Sequence, residues 1–70
     1  MSDRILLGRR LRKIRLEKQY SLEAVASDLN VSVSTLSRWE CGNRSMSAEM
    51  LFKIARYYDI SLSEMLLSLN

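Results

Sequence analysis

The stretch from Ser21 to Trp39 constrains this chain more than any other. It holds two short runs with apolar residues at helical spacing: Val25, Ala26 and Leu29 in the first, Leu36 and Trp39 in the second. Apolar side chains three and four residues apart form one face of a helix. Only Asn30, Val31 and Ser32 separate the two runs. Ser21 and Ser32 stand where helix N-caps belong, and Asn tolerates the left-handed conformation that ends a helix sharply. Helices joined this tightly must cross steeply and at close range. Close crossing needs a small side chain at the contact, and Ala26 supplies it.

The rest of the chain reads in the same way. Leu7, Leu11 and Ile14 share one face of a first helix over about 3–18, from which Arg9, Arg12 and Lys13 point away. The second and third helices cover about 22–29 and 33–41, and Gly42 is the natural left-handed stop of the third. Ser47 caps a fourth over about 48–58, carrying Leu51, Ile54, Ala55 and Tyr58. Ser61 and Glu64 form a capping box for a fifth over about 62–69, with Leu62, Met65, Leu66 and Leu69 inward. No stretch sustains the alternation of a strand. The expectation is an all-α fold of five short helices, with residues 1–70 forming a single domain.

Composition removes several classes of function. One Cys cannot close a disulfide within the chain, and one Cys with no His cannot furnish the usual ligands of a structural zinc site. The absence of His also removes the commonest general acid–base. No nucleophile–base pair or phosphate-cradling glycine loop is evident, so an enzyme, a cofactor, a metal or a small-molecule substrate is not expected. No apolar run approaches a membrane span, and the N-terminal apolar patch is too short for a signal peptide. A cytoplasmic, reduced location is expected.

Charge is concentrated at one end. Residues 1–20 hold seven Arg and Lys against Asp3 and Glu17, a net +5. Residues 21–40 hold Arg38 against Glu23, Asp28 and Glu40, a net −2, and residues 41–70 balance at zero. A localised basic segment points to a polyanionic partner. The two steeply crossed helices of residues 21–39 make, independently of that charge, a helix-turn-helix pattern, whose second helix enters the DNA major groove while the first lies across the backbone.

Residues 8–66 resemble the phage repressor/Cro-type, or XRE-type, helix-turn-helix domains. The resemblance is carried by Gly8-Arg9-Arg10-Leu11-Arg12-Lys13-Ile14-Arg15, by Ser21-Leu22-Glu23-Ala24-Val25-Ala26, by the run from Val31 to Arg44, and by Ile54-Ala55. The run ending in Trp39-Glu40-Cys41-Gly42-Asn43-Arg44 is its most specific part. It implies a homodimeric regulator of transcription, a repressor in most such proteins, that binds double-stranded DNA at a palindromic operator. A second reading keeps the fold as a protein-interaction module of antitoxin or antirepressor type.

The resemblance also implies roles for single residues. Val33, Ser34, Ser37 and Arg38 match the base-reading face. Arg38 alone among them can make a bidentate contact to guanine, whereas Val33 offers only apolar contact, for instance to a thymine methyl. Thr35, Asn43 and Arg44 match phosphate-contacting positions. Arg9, Arg12 and Lys13 stand beside the motif as further phosphate contacts. Arg15 and Glu40 match a pair that ties the first helix to the end of the third. Two positions depart from the family pattern. Leu22 stands where Gln commonly binds phosphate, leaving the backbone N–H groups of that helix end for the role. Val33 stands where a second Gln is common. An apolar Leu22–Val33 patch gives up one phosphate contact and favours thymine, or serves a protein partner.

Other residues read as packing. Trp39 belongs to the core by its spacing from Leu36, and Met46, Met50 and Met65 are packing or surface residues. Cys41 is a bystander thiol. Tyr58 faces inward, leaving Tyr57 free for a partner or solvent. Leu67 lies off the inner face of its helix, a modest hint of a dimer contact.

Overall fold

The computed structural model describes residues 2–67. Five helices follow one another: α1 (Asp3–Glu17), α2 (Leu22–Leu29), α3 (Val33–Cys41), α4 (Ala48–Tyr57) and α5 (Leu62–Leu67). No strand occurs among the described residues. α2 and α3 have the boundaries read from the sequence. α1 and α4 stop one residue earlier, because Lys18 and Tyr58 serve as their C-caps. The expected end of the last helix at 69 and the inward Leu69 lie outside the described residues, as does the side chain of Leu67.

Every helix starts on a serine. The Oγ atoms of Ser2, Ser21, Ser32, Ser47 and Ser61 accept the backbone N–H three residues on, at 3.0 to 3.3 Å. Each such cap satisfies a donor the helix cannot satisfy itself, and its loss typically costs ~1 kcal/mol. The first four helices end on a residue with positive φ: Gln19, Asn30, Gly42 and Asp59. The next N–H then turns back onto a carbonyl five residues earlier: Tyr20 to Arg15, Val31 to Ala26, Asn43 to Arg38 and Ile60 to Ala55. This Schellman closure reverses the chain within very few residues. Asn30 and Gly42 are read from sequence as such stops; Gln19 and Asp59 are not.

The core joins all five helices. It contains Leu11 and Ile14 of α1, Val25, Ala26 and Leu29 of α2, Leu36 and Trp39 of α3, Ile54 and Ala55 of α4 with Tyr58 at its cap, and Met65 of α5. Leu7, Leu51 and Leu62 pack on it half-buried, as do Met46 and Met50. Ala26 sits buried at the α2–α3 crossing. Glycine sets a second close approach. A Cβ on Gly8 would lie 2.6 Å from the carbonyl oxygen of Glu40 and nearer still to that of Trp39. The backbone of α1 therefore rests directly on the end of α3.

α4 is fastened to the end of α2 by polar bonds. Lys53 Nζ donates to the Leu29 carbonyl at 3.0 Å, and Tyr57 Oη donates to Asp28 Oδ2 at 2.7 Å. The expectation that Tyr57 is free is corrected by that bond. Its ring also meets those of Tyr20 and Tyr58, at centroid distances of 6.1 and 5.1 Å. Helical spacing within α4 ranks inward positions; it is blind to Asp28 on a neighbouring helix.

Candidate nucleic-acid interface

The site is built around α3, whose inner side is fixed by packing and whose far end is fixed by charge. Leu36 and Trp39 anchor it in the core, and Glu40 anchors its last turn. Arg15 donates from Nε to Glu40 Oε2 at 2.8 Å and from a terminal nitrogen to Oε1 at 3.1 Å. Its other terminal nitrogen donates to the Tyr20 carbonyl at 2.9 Å. Arg15 and Glu40 are only 7% and 6% exposed. The bidentate bond to Glu40 raises the pKa of the guanidinium above its ordinary value, against the opposing effect of burial. This fork holds together the end of α1, the turn after it and the end of α3.

The opposite side of α3 is open. Val33, Ser34 and Arg38 are exposed, and Ser37 is half-buried. The Arg38 side chain makes no hydrogen bond or ion pair among the described residues. Thr35 is half-buried, and its hydroxyl accepts from Ser32 Oγ at 2.8 Å, which leaves its own proton to donate. Asn43 and Arg44 follow Gly42 in the exposed turn after α3. α1, α2, α4 and α5 each carry an acidic residue in the first turn, whereas α3 carries none. The dipole at its N-terminus is therefore not neutralised by a side chain.

Beside α3 runs a cleft of about 500 Å³. Ile5, Arg9 and Arg12 of α1 form one wall, Ser37 and Cys41 of α3 the other, with Leu22 at the start of α2 and the Arg15–Glu40 pair between them. Leu22 is half-buried and packs on the core. Arg9, Arg12 and Lys13 also border a shallow surface on the outer side of α1. Among the described residues the one ion pair is Arg15–Glu40, so the remaining basic side chains of α1 are uncompensated. Arg9 and Arg12 thus stand in the same cleft as Ser37, while Lys13 lies further round the helix. Ile5 and Cys41 are additions that the sequence reading lacks. The 5, 9, 12 spacing on α1 and the step from 37 to 41 on α3 are the signals that find them. No three His, Cys, Asp or Glu side chains come together as a metal site among the described residues.

A family model for helix-turn-helix domains matches residues 11–65. The chain belongs to the helix-turn-helix family, of the repressor/Cro type. Members of this helix-turn-helix family are DNA-binding transcriptional regulators and not enzymes. The chain is 41% identical over 58 residues to YazB, an uncharacterized HTH-type transcriptional regulator of Bacillus subtilis, spanning 83% of this chain and 84% of that one. Among solved structures it resembles the clp gene regulator ClgR of Corynebacterium glutamicum, with a TM-score of 0.91, 29% identity, and coverage of 99% of this chain and 90% of that one. It also resembles the restriction-modification controller protein C.AhdI of Aeromonas hydrophila, with a TM-score of 0.85, 31% identity, and coverage of 93% and 98%. Among the described residues of this helix-turn-helix chain, no helix is long and apolar enough to cross a membrane.

Proposed function

We propose that the chain is a sequence-specific double-stranded DNA-binding domain, comprising residues 1–70, that acts as a homodimeric transcriptional repressor. In this reading α3 lies in the major groove with its N-terminal turn at the base edges. Val33, Ser34, Ser37 and Arg38 read bases. Arg9, Arg12, Lys13, Thr35, Asn43, Arg44 and the backbone at Leu22 hold phosphates and set the register. Two copies occupy the half-sites of a palindromic operator about one helical turn (~34 Å) apart. Repression follows from occupancy, with no bond made or broken, and the place of action is beside the chromosome in the cytoplasm.

The observation that carries this reading is electrostatic. The one helix without an acid in its first turn is also the one that presents an open side next to unpaired cations of α1. That combination suits a surface brought against phosphates. Selection of bound duplexes from a random pool is the test. Enrichment of a two-fold symmetric site, with affinity falling steeply as salt rises, is expected. A protein-interaction module is the rival, favoured by the exposure of the apolar Val33. Absence of any salt-sensitive duplex binding would decide for it.

A further inference from the structure

α3 opens with a side chain that cannot form a hydrogen bond. Val33 is its first residue and is 40% exposed. The nearest hydroxyl before it is occupied: Ser32 Oγ accepts from Thr35 N at 3.0 Å and donates to Thr35 Oγ1 at 2.8 Å. Along the same side of the helix, at four-residue steps, come Ser37 and Cys41, which line the cleft together with Leu22. Arg38, the charged reader, is offset from that row. At the Val33 position, beside the exposed Ser34, α3 therefore presents an apolar group where the N-terminal turn of a groove-bound helix meets base edges.

Base edges in the major groove offer one apolar group, the methyl on C5 of thymine. We propose that Val33 makes the first turn of α3 a reader of that methyl group rather than of a base. The proposal rests on the reading of α3 as the groove helix. An isopropyl group has no donor or acceptor with which to compare the 4-keto group of thymine with the 4-amino group of cytosine. It responds only to whether a methyl fills the space against it. A 5-methylcytosine at that position substitutes for thymine, and unmethylated cytosine or uracil does not. Occupancy of a site with cytosine there then depends on its methylation at C5. Burial of one methyl changes affinity by about fourfold.

The test uses the half-site recovered from the random pool. Each thymine is replaced in turn by deoxyuridine, which removes the methyl and nothing else. The sensitive T·A pair is then replaced by C·G with and without the 5-methyl group. One thymine per half-site is expected to lose about fourfold on conversion to uracil, and at that position 5-methylcytosine binds about fourfold tighter than cytosine. In Val33→Ala, whose exposed site leaves the melting temperature close to wild type, both differences collapse; in Arg12→Ala both persist. A site in which every thymine tolerates uracil overturns the proposal, as does a uracil penalty undiminished in Val33→Ala. A pool that yields no enriched duplex overturns the DNA-binding reading itself, and the two failures are thereby told apart.

Discussion

Arg15 is worth more to this molecule than its charge. Three of its donors are used, two on Glu40 at the end of α3 and one on the Tyr20 carbonyl in the turn after α1. Removing one member of such a pair leaves the other charge buried and unanswered, which typically costs ~3–5 kcal/mol. Glu40→Ala is therefore expected to lower the urea midpoint far more than a surface change does, whereas an apolar replacement of both partners together is expected to be milder. A melt of Glu40→Ala that overlays wild type would show the pair contributes nothing. Tyr58 gives a second prediction. It is 2% exposed, and its pKa is pushed up to about 12 by burial and by the negative charge of Glu40, partly offset by Arg15. An unfolded tyrosine ionises near pH 10. The raised value means the folded state resists ionisation, so its contribution is intact below pH 10 and is lost as pH rises through 12. The shift corresponds to roughly 2–3 kcal/mol. Urea melts between pH 9 and 12 should fall less steeply for Tyr58→Phe than for wild type, and parallel falls would exclude Tyr58 as the cause.

The helices themselves were largely legible, because four of the five announce their own start and two their own stop. Ser21, Ser32, Ser47 and Ser61 announce four beginnings, and Asn30 and Gly42 announce two ends. Gln19 and Asp59 are less recognisable stops, since neither residue type favours positive φ as Gly or Asn does. What each helix touches was harder to read. Periodicity places Leu36 and Trp39 inward and puts Ile5 in line with Arg9 and Cys41 in line with Ser37, yet says nothing of Tyr57 reaching Asp28 or of the α1 and α3 rows sharing one cleft. Those contacts join residues far apart in sequence and have no local signature. Gly8 is an intermediate case. In a helix interior Gly is about 1 kcal/mol worse than Ala, so its presence there needs a reason, and the carbonyls of Trp39 and Glu40 provide one. Gly8→Ala gains helix propensity but drives a methyl into backbone that cannot step aside, an overpacking worth ~1–3 kcal/mol or more. Net destabilisation is expected in a thermal melt; a higher melting temperature would mean that α1 can lift off α3 at no penalty.

At the scale of the whole molecule, the net charge of +3 conceals a polar arrangement. The surplus sits on α1, and the structure puts Arg9 and Arg12 of that helix in the same cleft as Ser37 of α3. Two substitutions separate affinity from specificity across this face. Arg12→Ala is expected to weaken binding to all duplexes alike and to reduce the salt slope by about one. Arg38→Ala is expected to cost about 1–3 kcal/mol on the preferred site and to relax a single base position. Isotherms over a salt series on matched and scrambled duplexes measure both, and a sequence-selective loss in Arg12→Ala would reverse the assignment. The same molecule carries an optical gauge of its own. Trp39 is the sole indole in the chain, it is buried, and its ring N–H has no partner among the described residues. Its emission reports on a buried setting one residue from Glu40. Fluorescence can therefore follow, without any label, whether α3 remains seated while its other side is occupied.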